Sequence, residues 1–120
     1  MSNPVVVYHD KCPDGIAAAW AAWCVYGDLA TYVPASYGDA PPVVADAVTG
    51  DPRDVIVADF SYPRDKILRL HGEAKSLLVL DHHHGVAAVA QLQERLRERL
   101  VVARVEADGR LVEHVADAAQ

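Results

Sequence analysis

The sequence predicts an α/β domain: a mainly parallel sheet of about five strands with helices on both faces, and a hairpin at the edge. Three observations lead there. The apolar runs Val5-Val6-Val7-Tyr8, Val55-Ile56-Val57-Ala58 and Leu77-Leu78-Val79-Leu80 are continuous rather than alternating, which suits strands buried on both faces. Between them lie segments of helical composition or period. Near the end, Asp108-Gly109 separates two further strand-like runs and reads as a tight hairpin turn.

Taken in order, the first run leads through Cys12-Pro13-Asp14-Gly15 into an Ala-rich segment over residues 16–26, whose composition favours helix. Its two tryptophans suit a packed helix, and Gly27 and Asp28 stop it. Thr31-Tyr32-Val33 is a second strand, ended by Pro34. A polar, Pro-containing stretch over residues 36–42 then leads to a short helix expected around residues 43–48, closed by Gly50.

The third strand ends at Asp59, and Pro63 stands where a helix begins, with Ile67, Leu68, Leu70 and His71 at helical spacing. The fourth strand ends at Asp81. Residues 86–100 read as a helix with Val89, Leu92, Leu96 and Leu100 on one side and paired Glu and Arg residues on the other. Residues 101–106 and 111–115 are the strands of the hairpin.

At 120 residues the chain is expected to be a single domain over residues 1–120. Seventeen acidic against 11 basic residues give a net charge of -6, which argues against a grip on long duplex nucleic acid. A nucleotide remains compatible, because a divalent metal supplies positive charge locally. The apolar run over residues 16–25 is shorter than a membrane span, and Met1-Ser2-Asn3-Pro4 lacks the pattern of a signal peptide. Cys12 and Cys24 fit no disulfide framework. The expectation is a cytoplasmic protein with reduced thiols and no membrane partner.

In a parallel α/β sheet, ligands bind beyond the carboxyl ends of the strands. The first predicted strand ends in His9-Asp10, with Asp14 where the next helix begins. The third ends at Asp59 and the fourth at Asp81-His82-His83-His84. Taken singly, Asp14 also reads as a helix N-cap, Asp59 as a turn opener and the histidine row as a solvated loop. Their shared location favours a cation, since acids crowded at one edge repel one another unless neutralised. Mixed imidazole and carboxylate ligands suit Mn²⁺, Zn²⁺ or Fe²⁺. Two such ions clamp a phosphoryl group between them, and Asp59 is the best placed residue to bridge them.

Three segments in order resemble the DHH phosphoesterase superfamily of single-strand exonucleases, oligoribonucleases, cyclic-dinucleotide phosphodiesterases and manganese pyrophosphatases. They are Val7-Tyr8-His9-Asp10-Lys11-Cys12-Pro13-Asp14-Gly15-Ile16-Ala17-Ala18-Ala19, Val55-Ile56-Val57-Ala58-Asp59-Phe60-Ser61 and Leu77-Leu78-Val79-Leu80-Asp81-His82-His83. The resemblance implies a metal site. His9 would bind one ion and Asp14 the other, Asp59 would bridge them, and His82 would join the second. Asp81 would fix the His82 ring, and His83 would face the scissile phosphate as the catalytic pair's charge-stabilising member. His84 has no role in this scheme and reads as solvated loop.

Two departures stand out. Where many members place an additional Asp in the opening segment, this chain has Cys12, as does a subgroup with a His-x-x-Cys-Pro-Asp-Gly opening. Cys12 is either a thiolate ligand or a small thiol packed under the first helix. Mn²⁺ is the metal the resemblance implies, with Zn²⁺ or Fe²⁺ favoured if Cys12 ligates. The family also supplies a later metal-binding Asp, for which Asp108 and Asp117 are the only late candidates, and a second domain that holds substrate. Without that domain, substrate contacts are expected from a homo-oligomer or a partner protein. Two functions are therefore expected in competition. One is a two-metal phosphoesterase acting on a nucleotide or short oligonucleotide. The other is a truncated, non-catalytic module that binds metal, nucleotide or a partner protein in a regulatory role.

Overall fold

The computed structural model describes residues 3–81, 100–105 and 111–114, the last two stretches as backbone. Its elements are β1 (Val5–His9), α1 (Pro13–Tyr26) followed by a 3-10 turn (Gly27–Leu29), β2 (Thr31–Ala35), β3 (Asp54–Ala58), α2 (Arg64–Glu73), β4 (Ser76–Asp81), β5 (Leu100–Val105) and β6 (Leu111–His114). They form one sheet in the order β2-β1-β3-β4-β5-β6. All neighbours from β2 to β5 run parallel, and β6 returns antiparallel to β5. The expected mainly parallel sheet with an antiparallel edge is thus present. Leu100, placed by sequence at the end of a helix, instead opens β5. The rest of that expected helix and the Asp108-Gly109 turn lie outside the described residues. No helix among the described residues is long and apolar enough to cross a membrane.

Alternate residues of a strand point to opposite faces, so each strand feeds two layers. Val5, Val7, Val55, Val57, Leu77 and Val79 turn to one face and pack with Ile67 and Leu70 of α2. Ile56, Leu78 and Leu80 turn to the other, where they and Ala18, Ala21 and Ala22 of α1 line a shared trough. The two helices therefore cover opposite faces. Burial follows the same division on α2: Ile67, Leu70 and His71 are buried, while Leu68 is 38% exposed.

Three local expectations differ. Pro34 does not end β2 but lies within it, paired with Tyr8 in register. β2 is an edge strand, where a residue without an N–H is tolerated. No helix forms over residues 43–48. There the Asp46 carboxylate accepts the backbone N–H groups of Val48 (2.8 Å) and Thr49 (3.0 Å), and an isolated bridge joins Ala45 to Pro52. A local side-chain acceptor has won over the helical ladder. Finally, the tryptophans of α1 are not packed: Trp20 is 67% and Trp23 51% exposed. The helix is apolar nearly all round, and only one side of it can meet the sheet.

Candidate metal centre

The register of the central strands brings their carboxyl ends level. Tyr8 pairs with Ala58 and Ala58 with Leu80, so the next residue on each strand, His9, Asp59 and Asp81, arrives at one edge. The chain leaves β1 through a turn in which the Asp10 N–H donates to the Ala35 carbonyl (2.9 Å) and Lys11 takes a positive φ of 54°. Cys12 is extended and immediately precedes α1, its carbonyl accepting the first helical bond from Ile16 (3.0 Å). Pro13 fits the first helical position, where no N–H is needed.

The N-cap position is therefore held by Cys12, not by Asp14. Asp14 lies in the first turn of α1, where its charge meets the positive end of the helix dipole. Gly15 makes this tight start feasible. A Cβ there would stand 2.1 Å from the His9 carbonyl oxygen and 2.9 Å from the His9 Cβ. Only a residue without a side chain lets the helix begin directly over His9.

Asp59 follows β3 and stays tied to the sheet by its N–H, which donates to the Leu80 carbonyl (2.8 Å). Its φ is +56°, in the left-handed region that L-residues enter at a cost. This twist and 7% exposure hold its carboxylate beneath the first loop. The Cys12 thiol donates to Asp59 Oδ2 at 3.5 Å, and His9 Nδ1 lies 3.8 Å from the same oxygen.

Potential ligand atoms of His9, Cys12 and Asp59 all lie within 4.8 Å of one another. Ligands of one tetrahedral ion, each about 2.0–2.3 Å from it, stand about 3.5 Å apart; the separations of 3.5 and 3.8 Å to Asp59 Oδ2 are close to that, so this set closes on a cation with small side-chain adjustments. One nitrogen, one sulfur and one carboxylate oxygen form a donor set suited to Zn²⁺ or Fe²⁺.

Of the other residues singled out by sequence, Asp81 is 1% exposed at the end of β4. With Asp14 and Asp59 it lines one end of the trough of about 540 Å³ between α1 and the sheet. Asp14 and Asp81 border the three-residue cluster rather than belong to it. His82, His83, His84, Asp108 and Asp117 lie outside the described residues.

An aromatic wall, which the sequence pattern did not reveal, closes one side. Tyr37 meets His9 edge-on with ring centroids 5.3 Å apart, and Phe60 lies 5.7 Å from His9. Phe60 in turn contacts Tyr37 (5.0 Å) and Tyr62 (4.9 Å). Burial first, and then the charges of Asp81, Asp59 and Cys12, push the Tyr37 phenol above its ordinary value, so the neutral hydroxyl form is held beside the acids. Phe60 adjoins Asp59 in sequence. Tyr37 has no such marker beyond a Tyr-Gly pair after β2, which signals only a turn.

Comparison with family models, with curated proteins and with solved structures finds no match for this chain.

Proposed function

We propose that the chain is a metal-dependent phosphoesterase of the DHH type, acting on a phosphodiester or phosphomonoester of a nucleotide or short oligonucleotide. The observation that supports it is the convergence of His9, Cys12 and Asp59 at the carboxyl edge of a parallel sheet. His9 and Cys12 would hold one cation, Asp59 would contact it and reach toward a second, and Asp14 and His82 would complete that second position. A cation so held supplies positive charge to a phosphoryl oxygen and acidifies water.

The chain's own residues supply the rest. Asp59 accepts from Cys12 and so keeps the thiol turned into the cluster it forms with His9. Phe60, 1% exposed and in ring contact with His9, covers one side of the cluster and keeps water from it, which strengthens its electrostatics. His83 would meet the scissile phosphate, and Asp81 would orient His82.

Calorimetric titration with Mn²⁺, Zn²⁺ and Fe²⁺, together with hydrolysis of a generic phosphodiester, tests this reading. Stoichiometric binding and turnover, both lost in Asp59→Asn, are the expected results. Metal bound without turnover on mono- or dinucleotides would leave the regulatory binding module in place of the enzyme. A wild-type chain that binds none of the three metals overturns the site itself.

A further inference from the structure

We propose that Tyr37 is a stacking platform, the surface that receives the planar base of a nucleotide whose phosphate enters the site. The inference rests on the metal reading of His9, Cys12 and Asp59, which says where the phosphate goes.

Three observations carry it. The first is exposure. Tyr37 is 59% exposed, whereas its aromatic neighbours Phe60 and Tyr62 are buried at 1% and 2%. An aromatic ring serving the core alone would follow its neighbours inward.

The second is that the turn carrying this exposed ring is braced and the ring itself rests on Phe60. Residues 36–39 form a turn in which the Asp39 N–H donates to the Ser36 carbonyl (3.1 Å) and the Asp39 carboxylate accepts the Ser36 N–H (2.9 Å). Gly38, at φ +95°, takes the left-handed conformation that the third position of a type II turn demands. From α2, Lys66 Nζ donates to the carbonyls of both Gly38 (3.2 Å) and Asp39 (2.8 Å). Phe60 then supports the ring from beneath, at 5.0 Å and an interplanar angle of 32°. A ring supported in advance loses less freedom when a ligand lies on it.

The third is position and charge. The ring centroid is 5.3 Å from that of His9, within the reach of the ribose that separates base from phosphate in a nucleotide. The protein carries a net charge of -6, and acids crowd the site. Long-range electrostatics therefore repels an anionic substrate, and a neutral stacking contact supplies affinity that charge does not. Stacking is also tolerant of base identity, so it selects nucleotides as a class rather than one base.

The test compares AMP with ribose 5-phosphate, which lacks the base, by calorimetry on protein saturated with Mn²⁺ or Zn²⁺, whichever binds more tightly. Wild type is expected to prefer AMP by about tenfold, the scale of one stacked base. Tyr37→Leu is expected to bring the two ligands within about twofold, while Tyr37→Phe and Tyr37→Trp keep the preference. The metal is titrated alone in each variant. With metal bound, equal affinity for the two ligands in wild type, or an undiminished preference in Tyr37→Leu, overturns the platform and leaves the metal reading intact. Absence of metal binding in wild type removes both.

Discussion

At the scale of single residues, Asp59 and Gly15 show how the site constrains its own backbone. Asp59 holds a left-handed φ of +56° and places its carboxylate against Cys12 and His9. Asp59→Gly would relieve that conformation, and we expect a gain of about 1 kcal/mol in urea unfolding together with loss of metal binding. A variant both less stable and still metal-binding would contradict the role given to this residue. Gly15→Ala acts in the opposite sense. Its Cβ would collide with the His9 carbonyl, so a loss of about 3 kcal/mol and a weakened metal site are expected, read by urea melts and metal titration. Cys12→Ser should lower Zn²⁺ affinity by more than about tenfold while leaving Mn²⁺ affinity nearly unchanged, since only the softer ion gains from sulfur. Equal losses for both ions would show that Cys12 acts by packing. His9 and Asp59 were legible in the sequence because each adjoins an apolar run whose end is easy to place, whereas Cys12 stood out only through the resemblance of its segment, with ligand and packed thiol both open. Tyr37 was not legible, since its position depends on Lys66, which reaches the turn from a helix well downstream.

At the scale of elements, the same contrast separates strands from loops. Buried parallel strands announce themselves as unbroken aliphatic runs, and β1, β3 and β4 fall within a residue or two of expectation. The segment over residues 43–48 has apolar residues at permissive spacing, but no period count reveals that Asp46 will claim two backbone donors. The N–H groups of Thr49 and then Val48 hold the Asp46 carboxyl below the usual carboxylate range. A lowered folded value means that the turn's support is present above pH 3.8 and is lost as pH falls through the lowered value. Protection of the Val48 and Thr49 amides, measured against their intrinsic exchange rates at each pH, should therefore hold to a pH below 3.8 and fall beyond it, and Asp46→Ala should lower it at neutral pH. Unchanged protection in that variant would remove Asp46 as the organiser of the loop. Helix α1 forms where its composition predicts and packs on the sheet through its alanines, but its tryptophans face solvent rather than the core. Composition reports helix propensity, but says little about how much of a uniformly apolar helix a single sheet can cover.

For the whole molecule, the parallel sheet both makes the core and aligns the site, so global stability and site geometry share the same strands. Tyr62 links the two. It is 2% exposed, and burial, then the charge of Asp39, push its phenol up to about 12 from 10.0. The raised folded value means that the neutral phenol's contribution is complete below pH 10 and is lost as pH climbs toward about 12. Wild type should accordingly lose on the order of 2 kcal/mol relative to Tyr62→Phe across that window, measured by urea unfolding at stepped pH. Parallel pH curves for the two proteins would show that the phenol is not held neutral by the fold.

The exposed face of α1 has a spectroscopic consequence. The chain has only two tryptophans, and both Trp20 and Trp23 lie on this helix with more than half of each open to solvent. Native fluorescence should resemble that of indole in water, so the folded core is nearly silent in emission and unfolding changes the colour little. Whatever settles over α1 would shift emission to the blue. The protein thus carries an intrinsic optical reporter of that one face, readable without label or mutation.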